Sequence, residues 1–431
     1  MPEGDPEGVS RNLNPGAMLP TMIKLAQQPF RAPSWRFPFV LLTIAAVACD
    51  SQGEPVDLIL SGGIVVDGTG APPAAADVAI DDGRIVAVGP ELEMASVERV
   101  DVSGLVVAPG FIDPHTHSRG RIFEIPTADN FVLQGVTTLV EGNDGSSPWP
   151  VGEWLDSLEA RGTAPNFALF VGHGTVRQET MGNVDRPPTA EELSTMEAMV
   201  ATGMDDGALG LSTGLAYVPG AFADTEEIIA LARVAGARGG IYISHMRDEG
   251  AGVLSSIEET IRIGRDAEIP VQMTHHKVGG HRQFGLSVTS IQRMREAQTE
   301  GVDVTFDQYP YTASSTGLSF LIPAWAKAGD SLQARLEDPE SRARVLDDMR
   351  AFIDERFAND PSRVQLVSCA FDPELAGLTL ADALASMGRP PTVTAMAELV
   401  LDFDRRGGCG AILHSYDEGD VERFLTSEYG M

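Results

Sequence analysis

The chain has 431 residues, of which 43% are hydrophobic and 22% charged. This composition is typical of a globular protein with a large core, and it excludes a disordered chain, a collagen and a coiled coil. There are 31 basic and 62 acidic residues, which gives a net charge of −31. A phosphate backbone requires a basic surface, so nucleic acid is excluded as a partner.

The three cysteines, Cys49, Cys369 and Cys409, are too few for a disulfide framework or a cysteine-rich zinc module. We expect Cys369 and Cys409 to pack as small apolar residues.

Residues 1–49 have the features of an export leader. No Asp or Glu occurs between Gly8 and Ala48, and basic residues precede an apolar run over 37–48. This run is shorter than the roughly 20 residues that span a bilayer, so it predicts a secretory signal and not a membrane helix. Ala46-Val-Ala-Cys49 resembles a bacterial lipoprotein cleavage box, which predicts membrane anchoring through a lipidated Cys49; the alternative is an ordinary signal peptide with an incidental cysteine. Either interpretation predicts an exported bacterial protein, periplasmic or membrane-anchored, and residues 50–55 are predicted to be a tether.

Residues 56–108 are predicted to form a small N-terminal β-sandwich domain. Short β-branched runs are bounded by glycine, and two of them flank Asp82-Gly83, a two-residue hairpin signal.

Residues 109–431 show strand-like apolar runs that alternate with helical stretches. This pattern predicts an α/β fold and a (β/α)8 TIM-like barrel. The seven predicted strands are Phe111–His115, Thr137–Val140, Phe167–Val171, Ala208–Ser212, Gly240–Ser244, Val271–Thr274 and Val302–Phe306. Residues 331–358 are charged and helical, and no convincing eighth strand precedes Met431.

Histidines follow several of these predicted strands. The ends of barrel strands meet on one face, and alternation along a strand gives His115 and His117 the same direction. With His245 and His275 they can surround a zinc ion. The same alternation allows only one of His275 and His276 to point inward, so the other is expected to support or pack.

The motifs around these histidines resemble the amidohydrolase superfamily, and in particular its N-acyl-D-amino-acid deacylases (D-aminoacylases). The blocks that carry the resemblance are Pro109-Gly-Phe-Ile-Asp-Pro-His-Thr-His117, Gly142-Asn-Asp144-Gly, Gly207–Leu215, Ser244-His-Met-Arg-Asp-Glu249, His275-His-Lys277 and Tyr309–Gly317.

The resemblance implies a set of site residues. His245 and His275 would hold one tightly bound Zn²⁺, and His115 and His117 would face a second, weaker site. The bridging ligand of the family is usually a cysteine, and Asp144 stands in its place as a competent but harder ligand. Lys277, Tyr309 and Ser315 match residues that hold the substrate carboxylate.

The resemblance also implies a general-base aspartate on the eighth strand, in a Gly-Ser-Asp-Gly-like turn. Residues 411–431 resemble the lead-in to that strand. We therefore expect the aspartate beyond Met431 and interpret the chain as truncated at its C-terminus, since an open barrel edge is a liability.

Additional charged and polar residues lie near the strand ends. An anionic substrate needs local cations in so acidic a protein. Arg247 is predicted to bind it, with a surface ion pair as the open alternative, and for Arg282 the surface ion pair is the expected role. Glu141 is interpreted either as a carboxylate that supports the site or, preferably, as a loop carboxylate, and for His173 a contact with substrate and a structural role are both open.

The predicted function is zinc-dependent hydrolysis of the amide bond of N-acyl-D-amino acids, with such small molecules as the partners. The alternatives are another amide or peptide hydrolase of the superfamily, or an inactive fragment that acts only as a binding protein.

Overall fold

The computed structural model describes residues 54–430. The leader 1–49, most of the tether 50–55 and Met431 lie outside the described residues. The chain divides into two compact units, and their described parts cover 54–65 with 74–106, and 66–73 with 107–430. Among these residues there is no helix whose length and hydropathy would suffice to cross a membrane.

The first unit is built on one twisted sheet of short strands. Its strands are β1 Val56–Val65, β2 Ala74–Asp81, β3 Arg84–Gly89, β4 Ser96–Asp101 and β5 Val106–Val107. Their order is β3-β2-β1-β4, and β5 also pairs with β1. The β2–β3 hairpin turns at Asp82 and Gly83, where φ is 47° and 68°. Two consecutive positive φ angles are what a hairpin matching the strand twist requires, and Asp-Gly supplies them at low cost.

The second unit contains the predicted run of parallel strands. They are β6 Phe111–Asp113, β7 Val136–Glu141, β8 Asn166–Leu169, β9 Val171–Gly172, β10 Gly210–Gly214, β11 Ile241–His245, β12 Val271–Met273 and β13 Val304–Phe306. Strands β6-β7-β8 form one sheet and β9-β10-β11-β12-β13 another, with parallel pairing throughout. Because β8 and β9 are consecutive parts of one chain run, the seven predicted strands are confirmed in the predicted order. At the β13 edge, Gly430 forms a parallel bridge with Phe306.

Helices connect these strands and contribute the outer side of the core. They are α1 Asp129–Val132, α2 Val151–Arg161, α3 His173–Met181, α4 Ala190–Asp205, α5 Thr225–Gly236, α6 Val253–Ala267, α7 Ser287–Thr299, α8 Ala324–Lys327, α9 Leu332–Glu337, α10 Pro339–Phe357, α11 Leu380–Ser386, α12 Val393–Arg405 and α13 Glu418–Leu425. Helix α4 begins with a capping box between Thr189 and Glu192, which satisfies backbone N–H groups that the helix itself leaves unpaired. Helix α6 buries Ile257 and Ile261, one turn apart, in the core of the second unit.

Residues 313–416 form a substructure that we call the cap. Its strands β14 Ala313–Gly317, β15 Val364–Cys369 and β16 Cys409–His414 make an antiparallel sheet in the order β14-β16-β15. The cap has its own apolar core, which includes Met349 on α10 and Phe403 on α12. The sequence pattern predicted the helices α9 and α10 but not this sheet.

The two cysteines of the cap form a disulfide, which corrects the prediction that they are unpaired apolar residues. Cys369 and Cys409 stand directly opposite each other on β15 and β16, with Cα atoms 4.4 Å apart. Both are buried. The two cysteines are 40 positions apart in sequence, and their pairing could not be predicted because only the strand register of the sheet brings them within bonding distance.

Candidate metal centre and active site

Asp144 lies between two pairs of histidines at the ends of the barrel strands. Its Oδ2 atom is 3.4 Å from His115 Nε2 and 3.2 Å from His117 Nε2. Its Oδ1 atom is 3.6 Å from His245 Nδ1 and 3.3 Å from His275 Nε2. The structure therefore brings together all five residues that the sequence indicated as metal ligands, with one carboxylate oxygen facing each pair.

The turn after β7 determines where Asp144 points. Gly142, Asp144 and Gly145 all have positive φ, of 81°, 55° and 74°. Asp is among the few residues that adopt this conformation readily. A Cβ atom on Gly142 would lie 2.4 Å from the Phe170 carbonyl oxygen, and one on Gly145 would lie 2.5 Å from the Gly214 nitrogen. The Gly-Asn-Asp-Gly sequence is thus required for a tight turn that carries the carboxylate into the barrel mouth.

The distances between the five side chains, and the environment of His245, fit the binding of a divalent cation. Two ligands about 2.0–2.1 Å from a tetrahedral zinc ion lie about 3.3 Å apart, and the four distances from Asp144 to the imidazoles cluster around this value. Both ring nitrogens of His245 are buried without a hydrogen-bond partner among residues 54–430, a costly arrangement unless another group binds them. Two sets of three ligands result, namely His115-His117-Asp144 and Asp144-His245-His275.

The charges of the site keep the Asp144 carboxylate ionised. Burial raises its pKa, but His275 and the other three imidazoles outweigh burial and hold the pKa well below its usual range. Burial lowers the pKa of His115, but Asp144 and Asp307 more than offset this and raise it to about 10. The carboxylate is thus already in the form that binds a metal ion, and metal binding would release the protons that the imidazoles carry.

His275 is held in an unusual backbone conformation by Asp307. Its φ is 36°, and its N–H donates to Asp307 Oδ1 at 2.6 Å. The next residue, His276, points the opposite way, where its Nε2 lies 2.6 Å from Ser290 Oγ and its ring packs against Phe424. The predicted division between the two histidines is confirmed: His275 faces Asp144 and His276 is buried in the core, where burial lowers its pKa to about 3.

A buried ion pair lies behind His275. Lys277 Nζ donates to Glu249 Oε1 at 2.6 Å and to the His275 carbonyl oxygen at 2.8 Å. Glu249 Oε1 is also 3.3 Å from His275 Nδ1, and its Oε2 is 3.8 Å from His245 Nε2. Burial raises the pKa of Glu249, but Lys277 and His245 hold it well below its usual range. Lys277 Nζ also lies 2.7 Å from His275 Nδ1, so the ammonium and the carboxylate together fix the orientation of this imidazole.

A cavity of about 660 Å³ opens next to these residues. Lys277, Tyr309 and Ser315, which the resemblance assigns to the substrate carboxylate, all line it. The opposite wall comes from the cap and is largely aromatic and aliphatic, with Phe320, Phe352, Phe357, Ile412, Leu413 and Tyr416. The site is therefore polar at the strand ends and apolar under the cap.

Arg247 is placed differently from the prediction that it binds substrate. Its guanidinium donates to both carboxylate oxygens of Glu259, at 3.0 and 2.8 Å, and to the Ala223 carbonyl oxygen. It does not line the cavity formed by the described residues. The direction of a side chain beyond a strand end depends on the loop and not on strand alternation, so the sequence could not determine it. Arg282 pairs with Asp354 and is 54% exposed, as expected for a surface residue.

Glu141 and His173 are both buried supporting residues. The Glu141 carboxylate accepts hydrogen bonds from the Thr116 hydroxyl and from the hydroxyl of Ser118, so it fixes the turn that carries His117 and is more than a loop carboxylate. His173 Nε2 lies 2.8 Å from Glu227 Oε1, and both side chains are buried. Its position corresponds to the structural role among the two left open.

Several residues of the site were given no role from the sequence. Asp307 directly follows the seventh predicted strand, a position that indicated a polar residue at the barrel mouth but not its contact with His275. Tyr217 packs on His245 with ring centroids 4.6 Å apart. Arg356 and Tyr416 reach the cavity from the cap, and no local pattern identifies residues that enter a site from so far along the chain.

Comparisons with a family model, with curated proteins and with solved structures all indicate the same family. Residues 98–426 match the model described as the amidohydrolase family. The chain is 37% identical over 377 residues to the D-aminoacylase of Alcaligenes xylosoxydans xylosoxydans, covering 79% of this chain and 77% of that protein. A solved D-aminoacylase, whose report concerns its binuclear metal centre, with one-metal activation and second-metal attenuation, superimposes with a TM-score of 0.72 at 35% identity, covering 88% of this chain and 75% of that one. The N-acyl-D-glutamate deacylase of Bordetella bronchiseptica, solved with zinc and a phosphonate mimic of the tetrahedral intermediate, gives 0.73 at 33% identity over the same shares. The parallel barrel, its histidine-lined mouth and these matches agree, and the chain belongs to the amidohydrolase family.

Proposed function

We propose that the protein is a zinc-dependent hydrolase of the amide bond of N-acyl-D-amino acids, releasing a carboxylic acid and a D-amino acid. The observation that carries this proposal is the position of Asp144, with one carboxylate oxygen facing His245 and His275 and the other facing His115 and His117. The similarity to proteins named D-aminoacylase and N-acyl-D-glutamate deacylase supports the substrate class.

We assign the tighter metal site to Asp144, His245 and His275. The side chains of His245 and His275 are 5% and 11% exposed, whereas that of His117 is 57% exposed. A buried site with fixed ligands competes better with water, so His115 and His117 would hold a second ion more weakly. When bound, zinc polarises a carbonyl group and lowers the pKa of water toward neutrality.

The remaining residues of the site would bind and orient the substrate. Lys277, Tyr309 and Ser315 line the cavity on its polar side and are proposed to hold the substrate carboxylate, with Glu249 keeping Lys277 in place. The aromatic wall of the cap excludes water from the scissile bond. The proton acceptor stays a prediction, namely the aspartate that the resemblance implies on the eighth strand.

The proposal is tested with the full-length protein, purified without chelator. Metal content is measured first, and hydrolysis of N-acetyl-D-amino acids is then compared with hydrolysis of their L-enantiomers. We expect at least one zinc per chain and turnover of the D-series only. Turnover of the L-series or of dipeptides alone would reassign the protein to another amide hydrolase, and ligand binding by zinc-loaded protein without turnover would favour the binding protein.

Export is a second part of the proposal. The leader over residues 1–49 supports it, and so does the Cys369–Cys409 disulfide, since disulfides persist mainly in oxidising compartments. We propose that a lipidated Cys49 attaches the mature protein to a membrane. Fractionation of a bacterial host should place the wild type with membranes and Cys49→Ala in the soluble periplasm. A wild-type protein that stays in the cytoplasm would refute export, and a soluble periplasmic wild type would refute lipidation.

A further inference from the structure

Arg356 is a buried arginine of the cap that reaches the mouth of the barrel. It lies near the end of α10, is 5% exposed, and lines the same cavity as Lys277. Its Nη2 donates to Asp248 Oδ1 at 2.9 Å, and its Nε lies 3.1 Å from Glu355 Oε2. A buried guanidinium is costly to desolvate, and an apolar residue of similar size would attach the cap equally well. Attachment of the cap alone therefore does not explain why an arginine is buried at this position.

Two glycines make room for this guanidinium. A Cβ atom on Gly250 would lie 2.6 Å from Arg356 Cζ, and one on Gly279 would lie 2.1 Å from Arg356 Nη1. Neither glycine has a positive φ, so the backbone conformation alone does not require glycine at either position. Gly250 directly follows Glu249, and Gly279 comes two residues after Lys277. The cradle is thus built from the two loops that carry the buried ion pair.

These two loops are joined by hydrogen bonds around the arginine. The Gly279 N–H donates to the Glu249 carbonyl oxygen at 2.6 Å. The Asp248 carboxylate, which accepts from Arg356, also accepts from the N–H groups of Gly250 and Gly252, at 2.7 and 2.8 Å. Both neighbours of Glu249 in the chain are therefore tied to Arg356: Asp248 accepts its hydrogen bond, and Gly250 packs against its guanidinium.

From this arrangement we infer that Arg356 is a positioning residue for the Glu249–Lys277 pair. It fixes the two loops from the cap, and Glu249 in turn holds Lys277 in the cavity and contacts the Nδ1 atom of His275. The inference rests on the proposed function only where substrate is concerned, because the position of His275 also affects metal retention.

Two variants test the inference by different routes. Arg356→Ala removes the guanidinium, whereas Gly279→Ala keeps its charge but places a methyl group where Nη1 now lies. Both should lower kcat/KM for an N-acetyl-D-amino acid by about 10–100-fold, the loss of activity typical when an outer-shell partner is removed, and mainly through a higher KM. Both should also lose zinc faster to a chelator, a measurement that needs no activity. Arg350 lies on the same helix, and its side chain is 41% exposed and pairs with Asp347; Arg350→Ala is the control and should behave as the wild type does.

Chemical rescue separates positioning from general stability. Guanidinium ion at low millimolar concentration should restore the KM and the zinc retention of Arg356→Ala, but not those of the double variant with Gly279→Ala, whose cradle is filled. Arg356→Lys covers the case in which the alanine variant does not fold, and should lie between wild type and alanine.

The outcomes distinguish the inference from the proposed function. Wild-type KM and wild-type zinc retention in both Arg356→Ala and Gly279→Ala would overturn the inference. A lowered unfolding temperature with unchanged KM and zinc retention would overturn it as well, because Arg356 would then only stabilise the cap. A wild type that hydrolyses no N-acyl-D-amino acid would refute the proposed function, while zinc retention would still decide the role of Arg356.

Discussion

Asp144 differs from the cysteine that the resemblance leads one to expect in a way that changes how two ions can be bridged. A thiolate offers one sulfur atom to both ions, whereas the carboxylate presents Oδ1 to one pair of imidazoles and Oδ2 to the other. Each pair thus has an oxygen of its own. The oxygen is also a harder ligand than sulfur, which favours a broader range of divalent ions.

Replacing Asp144 by Asn should abolish tight metal binding while leaving the turn intact. Asn adopts positive φ as Asp does, so the backbone at φ 55° is retained and only the charge is lost. Because Asp144 is a direct ligand, zinc affinity should fall by at least the ~10–100-fold typical of outer-shell losses. Competition with a chromogenic chelator measures this.

The exposed Asp205 provides the control for this experiment. Its carboxylate pairs with Arg238 and is 71% exposed, so Asp205→Asn should bind zinc as the wild type does. An Asp144→Asn variant that retains wild-type zinc affinity would remove Asp144 from the metal centre.

At this scale the sequence predicted the residues that cluster at the strand ends, although strand geometry accounts for only one of the histidines. His245 is the last residue of β11, whereas His115 and His117 lie two and four residues after β6, and His275 and His276 follow β12, so the family motifs located these four better than alternation did. Arg247 was placed wrongly, because it lies in a loop where no period fixes the side-chain direction. The role of Arg356 could not be predicted, since it depends on contacts with Gly279 and with Asp248, which lies 108 positions earlier in the sequence.

Among the elements, α3 and α5 are joined by a buried charged cluster. Glu227 on α5 accepts from Arg177 on α3 and contacts His173, and all three side chains are almost fully buried. Burial raises the pKa of Glu227, but His173 and Arg177 outweigh it and hold the pKa below 4.5. The carboxylate is therefore charged in the folded protein at all moderate pH values.

Glu227→Gln should destabilise the protein in a pH-dependent way. Because the folded-state pKa lies below the unfolded value of 4.5, the stabilisation is complete above pH 4.5 and is lost as the pH falls through the folded-state pKa. Breaking a buried pair costs about 3–5 kcal/mol, so the difference from wild type should be largest at pH 7 and shrink below pH 4.5. Urea unfolding at several pH values measures it, with the exposed Glu226→Gln as control; a difference independent of pH would contradict this account.

The disulfide should stabilise the cap. Cys369 and Cys409 close a loop of 40 residues, and a bridge of this kind contributes typically 2–4 kcal/mol. The double variant Cys369→Ala/Cys409→Ala should unfold at a lower temperature than the wild type, and reductant should lower the wild-type midpoint but not that of the variant. Equal sensitivity of both proteins to reductant would show that the bridge is not formed.

Barrel strands and cap strands differed in how well they could be predicted. The seven barrel strands are short apolar runs, and β10, β11 and β12 are buried on both faces, a pattern that identifies parallel strands. The strand Ala313–Gly317 reads Ala-Ser-Ser-Thr-Gly, without any apolar pattern, and its partner Cys409–His414 lies about 95 residues later. Pairing over such a distance depends on the packing of the cap and leaves no local signal.

On the scale of the whole molecule, the charge of −31 contrasts with the chemistry of the site. Apart from the imidazoles, the described residues that line the cavity include two cations, Lys277 and Arg356, and each is paired with a carboxylate. An anionic substrate would thus approach a strongly acidic surface and find its positive charge only inside the mouth. Salt should therefore assist binding by screening the outer charges.

A metal that binds only the folded state should stabilise the entire protein. Zinc at 1,000 times its dissociation constant adds about 4 kcal/mol to the free energy of unfolding. Calorimetry should show a higher unfolding temperature with zinc than after chelation, and Asp144→Asn should show no such difference. If the unfolding temperature of the wild type were the same with zinc and after chelation, a metal centre in the folded protein would be contradicted.

The most direct test of the account is the anomalous scattering of zinc in crystals of the protein. We predict a strong peak within bonding distance, about 2.0–2.2 Å, of Asp144, His245 and His275, and a weaker peak beside Asp144, His115 and His117. Zinc peaks that contact none of these five residues, or density without any peak at Asp144 in zinc-soaked crystals, would contradict it.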